Sequence, residues 1–568
     1  MYFKEYLFAL LLSAGFLSAQ PFSEKLDRGV VATTISSKKV HLSWRLLKED
    51  PDNVAFNVYR KDIVRQNAFE KINPVPVTET TDFVDTTVVR GQPYRYRVTR
   101  VINGKEEDTK GVAYVFVRNF DQPWYSIPLN DNIRPKHIGI GDLDGDGAYD
   151  FVLQHPDIHT DPWHDPGYWR RSPDTYKLDA YSGKGKFLWR YDMGWAIEAG
   201  TWYAPYMVYD IDGDGRAEVY TKAGEGDTRE SDGHVLEGPE YLVKLNPANG
   251  KVIQKRDWLS KDGFGTYNYA SRNFLDVAYL DGKNPSLIMQ RGTYTTIKTE
   301  ALDKSLKRKW YWESTGEYEK FKGQGQHSIM TADIDGDGKD EVIPGTFALD
   351  DDGTPLWHLG LGHNDVGYIA DIDPSRPGLE IFYGIESRSP KNGVCLVEAA
   401  TGKIIWGYDK KTFHVHGQGM IGDIDPNHPG MEVYAGEAKG GFEYFLYSAG
   451  GERLSDKKEV MQGDLAPYAV WWDSDELKEI VSKDKLFKYQ GDTLQKIEGT
   501  VLLVADIIGD WREEIVTSLP GELRIYTTNI PARNRKVSLI QDRQYRTGVA
   551  DASSGYYYPA QLGLKKEE

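Results

Sequence analysis

Aspartates at alternate positions, separated by glycines and followed by a carboxylate eight residues after the first, offer hard oxygen ligands to a single cation. The chain carries three full copies: Asp142-Leu-Asp144-Gly-Asp146-Gly-Ala-Tyr-Asp150, Asp210-Ile-Asp212-Gly-Asp214-Gly-Arg-Ala-Glu218 and Asp333-Ile-Asp335-Gly-Asp337-Gly-Lys-Asp-Glu341. Shorter versions stand at Asp371, Asp373 and Glu380, at Asp423, Asp425 and Glu432, and at Asp506-Ile-Ile-Gly-Asp510. The donor set suits Ca2+, and the role expected of it is to staple turns rather than to do chemistry. A Val-, Ile- or Tyr-rich run follows each loop, so each leads into a strand, whereas an EF-hand would continue as a helix.

The residues five to eight positions before each leading Asp are chemically capable ones. They include Lys136-His137, Trp202-Tyr203, Gln326-His327, His363-Asn-Asp365, His416-Gly-Gln418 and Glu498-Gly-Thr500. Purely structural strands could carry Val or Ile there. Imidazoles titrating near neutrality can move protons, and cations can neutralise a carboxylate. This shared register is the candidate active site, provided the fold brings the segments to one face.

The elements that would do so read as strands throughout. Between about Arg28 and Asn119, short runs alternate apolar and polar residues, as in Val40–Leu47, Ala55–Arg60, Tyr94–Val101 and Val112–Val117. That alternation predicts a small fibronectin-III-like β-sandwich over residues 20–119. From residue 120 to 568 the repeating unit is strand, metal loop, strand and hairpin, which predicts a β-propeller with insertions. Hairpins turn on Ser-Gly, Asn-Gly and Thr-Gly, as in Leu178–Trp189, Leu242–Lys251 and Val397–Trp406. The fold class expected is therefore all-β.

Composition narrows the partners. A formal net charge of −17 excludes a phosphate-binding surface, and hence nucleic acid. The first 19 residues combine Lys4, a short apolar run and a small-residue end, the pattern of a cleaved secretory signal; the expected location is secreted or periplasmic. No other apolar run is long enough to span a membrane. Cys395 is the only cysteine, so no internal disulfide forms. Thirty-six Tyr and 15 Trp give faces on which sugar rings could stack. The reading is of a monomer acting on an acidic polysaccharide.

Several phrases in fixed order carry a more specific likeness: Val208-Tyr-Asp-Ile-Asp-Gly-Asp-Gly-Arg-Ala-Glu-Val219, Gly238-Pro-Glu-Tyr-Leu242, Arg291-Gly-Thr-Tyr294, Gly323-Gln-Gly-Gln-His327, Gly360-Leu-Gly-His363-Asn-Asp365 and Gly509-Asp-Trp-Arg-Glu-Glu514. With Arg28-Gly-Val-Val and Ser43-Trp-Arg-Leu-Leu they make the chain resemble the family 11 rhamnogalacturonan lyases over nearly its whole mature length. The resemblance implies an eight-bladed, calcium-bearing propeller behind a fibronectin-like region, and β-elimination at the rhamnose–galacturonate backbone of pectin. Elimination requires a neutralised uronate carboxylate, a base for the C5 proton and an acid for the leaving O4.

The chain departs from the family pattern where chemistry is expected. Gln418 replaces a family Arg, and Gln495-Lys496-Ile-Glu498 replaces a segment bearing a family Lys; family histidines give way to Trp202 or Tyr203 and to Tyr368, and the C-terminal phrase becomes Tyr556-Tyr-Tyr-Pro559. His414 and His416 arrive beside the lost Arg. The expected catalytic set is His416, His363, His327, Arg291 and Tyr294, with His416 as the replacement proton carrier. Trp202, Tyr203, His414, Gln418, Lys496 and Tyr556 are expected to bind substrate. Lys222 and Glu225 are expected at a second calcium site, and His155, His159 and His164 on a loop over the cleft. Two other functions stay open: a lyase on the sulfated rhamnose–glucuronate polymer ulvan, and a propeller that binds glycan without cutting it.

Overall fold

The computed structural model describes residues 24–65, 67–163 and 168–563. The expected leader over residues 1–19 and His164 lie outside them. Near the N-terminus, Val31–Ser36, Lys39–Ser43 and Asp82–Asp85 form one antiparallel sheet, and a second is built on Ala55–Asp62 and Pro93–Ile102. Alternating side chains of the two sheets meet in one core around Trp44, Phe56, Tyr96 and Val98. Trp44 and Phe56 pack edge to face at 5.5 Å. The period-two reading of this region thus became two sheets facing each other.

Beyond residue 124 the described residues form eight four-stranded antiparallel sheets, seven of them built from four consecutive strands. The eighth takes Thr500–Ala505, Glu514–Leu519 and Glu522–Tyr526 from the end of the chain and is completed by Trp124–Pro128 from its beginning. The first strand of each sheet packs on the first strand of the next, and Thr500–Ala505 packs back on His137–Gly141. The succession therefore closes. Burial falls outward along each sheet: every residue of Gly325–Ala332 is buried, whereas the outer strand Val252–Asp257 is largely exposed. Polar groups on first strands consequently sit where burial makes them costly unless satisfied.

Neighbouring sheets are tied by a repeated contact. Trp189, Trp310, Trp357 and Trp406 each donate their indole N–H to a carbonyl in the hairpin of the following sheet, those of Pro247, Asp351, Ala399 and Ala449. The rings lie over the turn glycines; a Cβ at Gly250 would stand 2.5 Å from Trp189, and its φ of +67° suits glycine in any case.

The C-terminal segment was not foreseen. Helix Arg543–Ala550 and the turn Asp551–Ser553 lie against first strands of the first four sheets. Arg546 donates to the carbonyls of Ile140 and Val208, and Ser553 to that of Tyr206. Frayed ends of first strands, which would otherwise need water, are capped by this plug.

Candidate active site

Four consecutive sheets contribute to one polar cluster. His327 lies on the first strand of the fourth sheet, His363 and Asp365 at the start of the fifth, Glu386 just after the fifth sheet's second strand, and His414 and His416 ahead of the sixth. The third sheet adds Tyr294, whose hydroxyl is 3.0 Å from His327 Nε2. Of the shared register before the aspartate loops, the members from the fourth, fifth and sixth sheets meet in this cluster. Asp365 is its centre: His363 Nε2 stands 3.1 Å and His327 Nε2 3.7 Å from Oδ1, while His416 Nδ1 contacts Oδ2. Glu386 follows, 3.5 Å from His363, 3.7 Å from His414 and 4.0 Å from His416.

Burial and charge separate these groups. Burial alone would raise the Asp365 carboxyl, but hydrogen bonds from His363 and His416 and the charge of His416 hold it far below the usual range. Burial lowers His327 strongly, with His363 and Arg272 adding to the effect, so it is neutral. His416, 38 % exposed, goes the other way, because Asp365 and Glu386 outweigh its desolvation. His414 is lowered by burial and by His416, on which it stacks at 5.0 Å. Burial, then the Asp365 charge, raises Glu386. Tyr294 is pushed well up, chiefly by burial, and stays a neutral phenol.

The cluster also suits a cation. His363 Nδ1 donates to the Gly325 carbonyl, and its Nε2 faces two carboxylates. Such an arrangement is repulsive unless a proton or a cation lies between. His327 Nδ1 is buried without a hydrogen-bond partner, and His327, His363 and Asp365 offer ligand atoms within 4.8 Å of one another, as do Glu386, His414 and His416. Four of the aspartate loops pass the same test. Asp333 takes the N–H groups of Gly336 and Gly338, Glu341 Oε2 takes that of Ile334, and Glu341 Oε1 is left buried and partnerless, like Glu432 Oε1, Asp371 Oδ1 and Asp506 Oδ1. Burial and adjacent carboxylates push Glu341 and Glu432 up to about 8. A loop missed from sequence, Asp473-Ser-Asp475 with Glu479, has Trp471 in place of the leading Asp but keeps the closing bond, Glu479 taking the N–H of Trp472; its alternate aspartates were the available signal.

Other sequence expectations land elsewhere. Arg291 is fully buried and pairs with Glu240 at 2.6 Å rather than with the histidines. Lys222 pairs with the same carboxylate at 2.7 Å, and Glu225 with Lys255, so these two are ion-pair partners and not a calcium cradle. Trp202 and Tyr203 are each 1 % exposed. They cannot present a face to sugar; Trp202 instead lies beneath His327, ring to ring at 4.7 Å. Lys496 ends the outermost strand of the seventh sheet, 67 % exposed and beside Glu498, away from the cluster. Gln418 is half-buried two residues beyond His416, and Tyr556 packs on His327 at 5.0 Å. His155 pairs with Asp179.

Arg272 was not foreseen. It is buried over Trp202 at 4.1 Å and Tyr294 at 5.2 Å, gives Nη2 to Asp161 and Asn268, and keeps Nε and Nη1 without partners. Its strand belongs to the third sheet, which lacks an aspartate loop to mark the register. Beside it opens a cavity of about 690 Å³ walled by Trp169, His234, Tyr267 and Tyr269. Trp169 stacks on His234 at 3.6 Å, and the Tyr269 ring is 6.4 Å from Tyr294, next to the cluster.

Residues 131–565 match the profile of the rhamnogalacturonan lyase family 11 C-terminal domain, and residues 22–116 that of the rhamnogalacturonan I lyase beta-sheet domain. The chain belongs to rhamnogalacturonan lyase family 11. As a family 11 member it is a polysaccharide lyase. It is 36 % identical to the rhamnogalacturonan endolyase YesW of Bacillus subtilis, over 94 % of this chain and 90 % of the relative, and 35 % identical to the exolyase YesX of the same organism, over 94 % of each. The crystal structures of YesW and YesX superpose with TM-scores of 0.83 and 0.84, covering 96 % of this chain and 97 % and 98 % of theirs. A family 11 lyase from Bacillus licheniformis, 34 % identical, gives 0.82 over 95 % of this chain and 96 % of its own.

Proposed function

We propose that the protein is a secreted or periplasmic, monomeric lyase that cuts the rhamnose–galacturonate backbone of rhamnogalacturonan by β-elimination. The closed succession of eight sheets is read as an eight-bladed β-propeller, its aspartate loops as Ca2+ sites, and residues 20–119 and 120–568 as sandwich and catalytic domains. The observation that carries the reading is His416: partly exposed, and backed through Nδ1 by buried Asp365.

With Nδ1–H donated to Asp365, Nε2 is the ring nitrogen left to remove the C5 proton, and Asp365 and Glu386 keep it basic and stabilise the imidazolium that forms. Tyr294, protonated and 3.0 Å from His327 Nε2, is placed to give its proton to O4. Neutral His327 orients that hydroxyl through the hydrogen bond, and the proton given to O4 is replaced from solvent. Arg272 sets a positive potential beneath Tyr294. A divalent cation held by His327, His363, Asp365 and Glu386 would supply neutralisation of the uronate carboxylate. The aromatic cavity beside Tyr269 suits the neutral rhamnose, whose apolar face can stack while Glu230 and Asp232 at the wall disfavour a second uronate.

The test offers the protein rhamnogalacturonan, homogalacturonan and ulvan in turn while following ultraviolet absorbance of the unsaturated uronate. Product from rhamnogalacturonan is expected; product from ulvan alone transfers the reading to that polymer, and product from none leaves a binding protein. Chelation with EDTA should lower the melting temperature by many degrees if the loops hold calcium, because the ion binds the folded state only.

A further inference from the structure

An ammonium touches one aspartate of the first and third loops, Lys184 at Asp146 and Lys339 at Asp337, but among the three full loops one reaches the closing carboxylate in the second alone. Its backbone is the same: Asp210 takes the N–H groups of Gly213 and Gly215, and Glu218 Oε2 that of Ile211. But Glu218 Oε1, whose counterpart in Glu341 is partnerless, lies 2.6 Å from Lys244 Nζ, and that nitrogen is also 3.1 Å from Asp212 Oδ2. These two oxygens are among those a cation in the loop must use. Lys244 comes from the third strand of the sheet, where it pairs with Tyr220, two residues past the closing carboxylate. At the same register the first, fifth and sixth sheets place Ala180, Leu396 and Leu446. Lys244 is only 9 % exposed, so its ammonium is committed to the loop rather than resting on it.

We infer that Lys244 supplies the cation of this loop, which therefore takes no divalent ion. A calcium ion needs its oxygens at about 2.3–2.6 Å. The ammonium already fills that space, and two positive charges a few ångströms apart in a half-buried site repel each other before any ligand is lost. Lys488 does the same in the loop missed from sequence, 2.5 Å from Asp473, 2.7 Å from Asp475 and 3.7 Å from Glu479, though it reaches in from a different position and is 38 % exposed. A tethered cation cannot be stripped by a chelator or lost on dilution. The second and seventh sheets then hold their turns whether or not calcium is present.

The inference rests on the calcium reading of the remaining loops, and the experiment separates the two. Calcium per chain is counted by mass spectrometry after chelation, reloading and dialysis. Asp333→Asn should lose one ion; if wild type holds none, the calcium reading itself fails. Glu218→Gln should lose none, and a loss of one ion overturns the inference. Lys244→Met, which keeps the chain length and removes the charge, should gain one ion and melt lower than wild type in EDTA but not in calcium. An unchanged count and unchanged melting in Lys244→Met also overturn it. Because the gain-of-ion variant repairs itself with calcium, a folding failure of Glu218→Gln leaves the inference testable.

Discussion

Two buried polar clusters lie within neighbouring sheets, and only one of them is open. Around Glu240, Lys222 and Arg291 meet a single carboxylate whose pKa is drawn down to about 2 by both cations against the effect of burial. Around Asp365, three imidazoles and a second carboxylate crowd one another, buried atoms go unpartnered, and one edge reaches solvent at His416. Two cations over one carboxylate leave a positive charge, and Arg291 Nε and Nη1 have no partners, but both cations are buried away from solvent. Charge left in excess, with an exposed edge, is poised for something else to complete it.

Substitutions in the two clusters should therefore fail differently. His416→Ala should cut turnover by roughly a hundredfold or more, the scale of a lost general base, with melting near wild type; loss of stability at an intact rate per folded molecule would return His416 to a structural role. Next comes Glu240→Gln, which strands two buried cations and should cost about 3 kcal/mol of stability, measured by urea unfolding, while the rate per folded molecule holds. The pH dependence has a definite sign. Glu240 titrates lower when folded than its ordinary 4.5, so its contribution is present above pH 4.5 and is lost as pH falls toward 2. Wild type should lose stability in that window more steeply than Glu240→Gln. Tyr294→Phe, which removes the phenolic proton beside His327, should slow turnover by about tenfold to a hundredfold with little change in KM. The smallest effect belongs to Lys496→Ala, where an exposed ammonium near Glu498 should change neither rate nor melting measurably.

Much of this division was legible in the chain before folding. The aspartate loops named their following strands, and counting back from each leading Asp found His327, His363 and His416, which the sheets bring together. The count failed where its marker was missing: Arg272 precedes a strand without an aspartate loop, and Glu386 follows a second strand, outside the register. Arg291 was misplaced because a strand residue's partner is set by the adjacent sheet, and Glu240 lies in that sheet, distant in sequence. Trp202 and Tyr203 share the right register but are covered, since side-chain type says nothing of what lies above it. Lys496 was expected from a segment where the family resemblance implies a Lys, while its outer place came from strand order. The plug of residues 543–553 has too short a periodic run to declare itself.

The strand Trp124–Pro128 pairs with Glu522–Tyr526, residues made near the two ends of the ring-forming chain. A chain growing from its N-terminus must therefore carry that strand unpaired through the synthesis of seven complete sheets. Its hydrogen-bonding edge is an open template all that time, and closure has to overcome the entropy of a loop of roughly four hundred residues. Closure is then the natural slow step of folding. A fragment ending before residue 522 should fold its local hairpins quickly and still aggregate through the waiting strand.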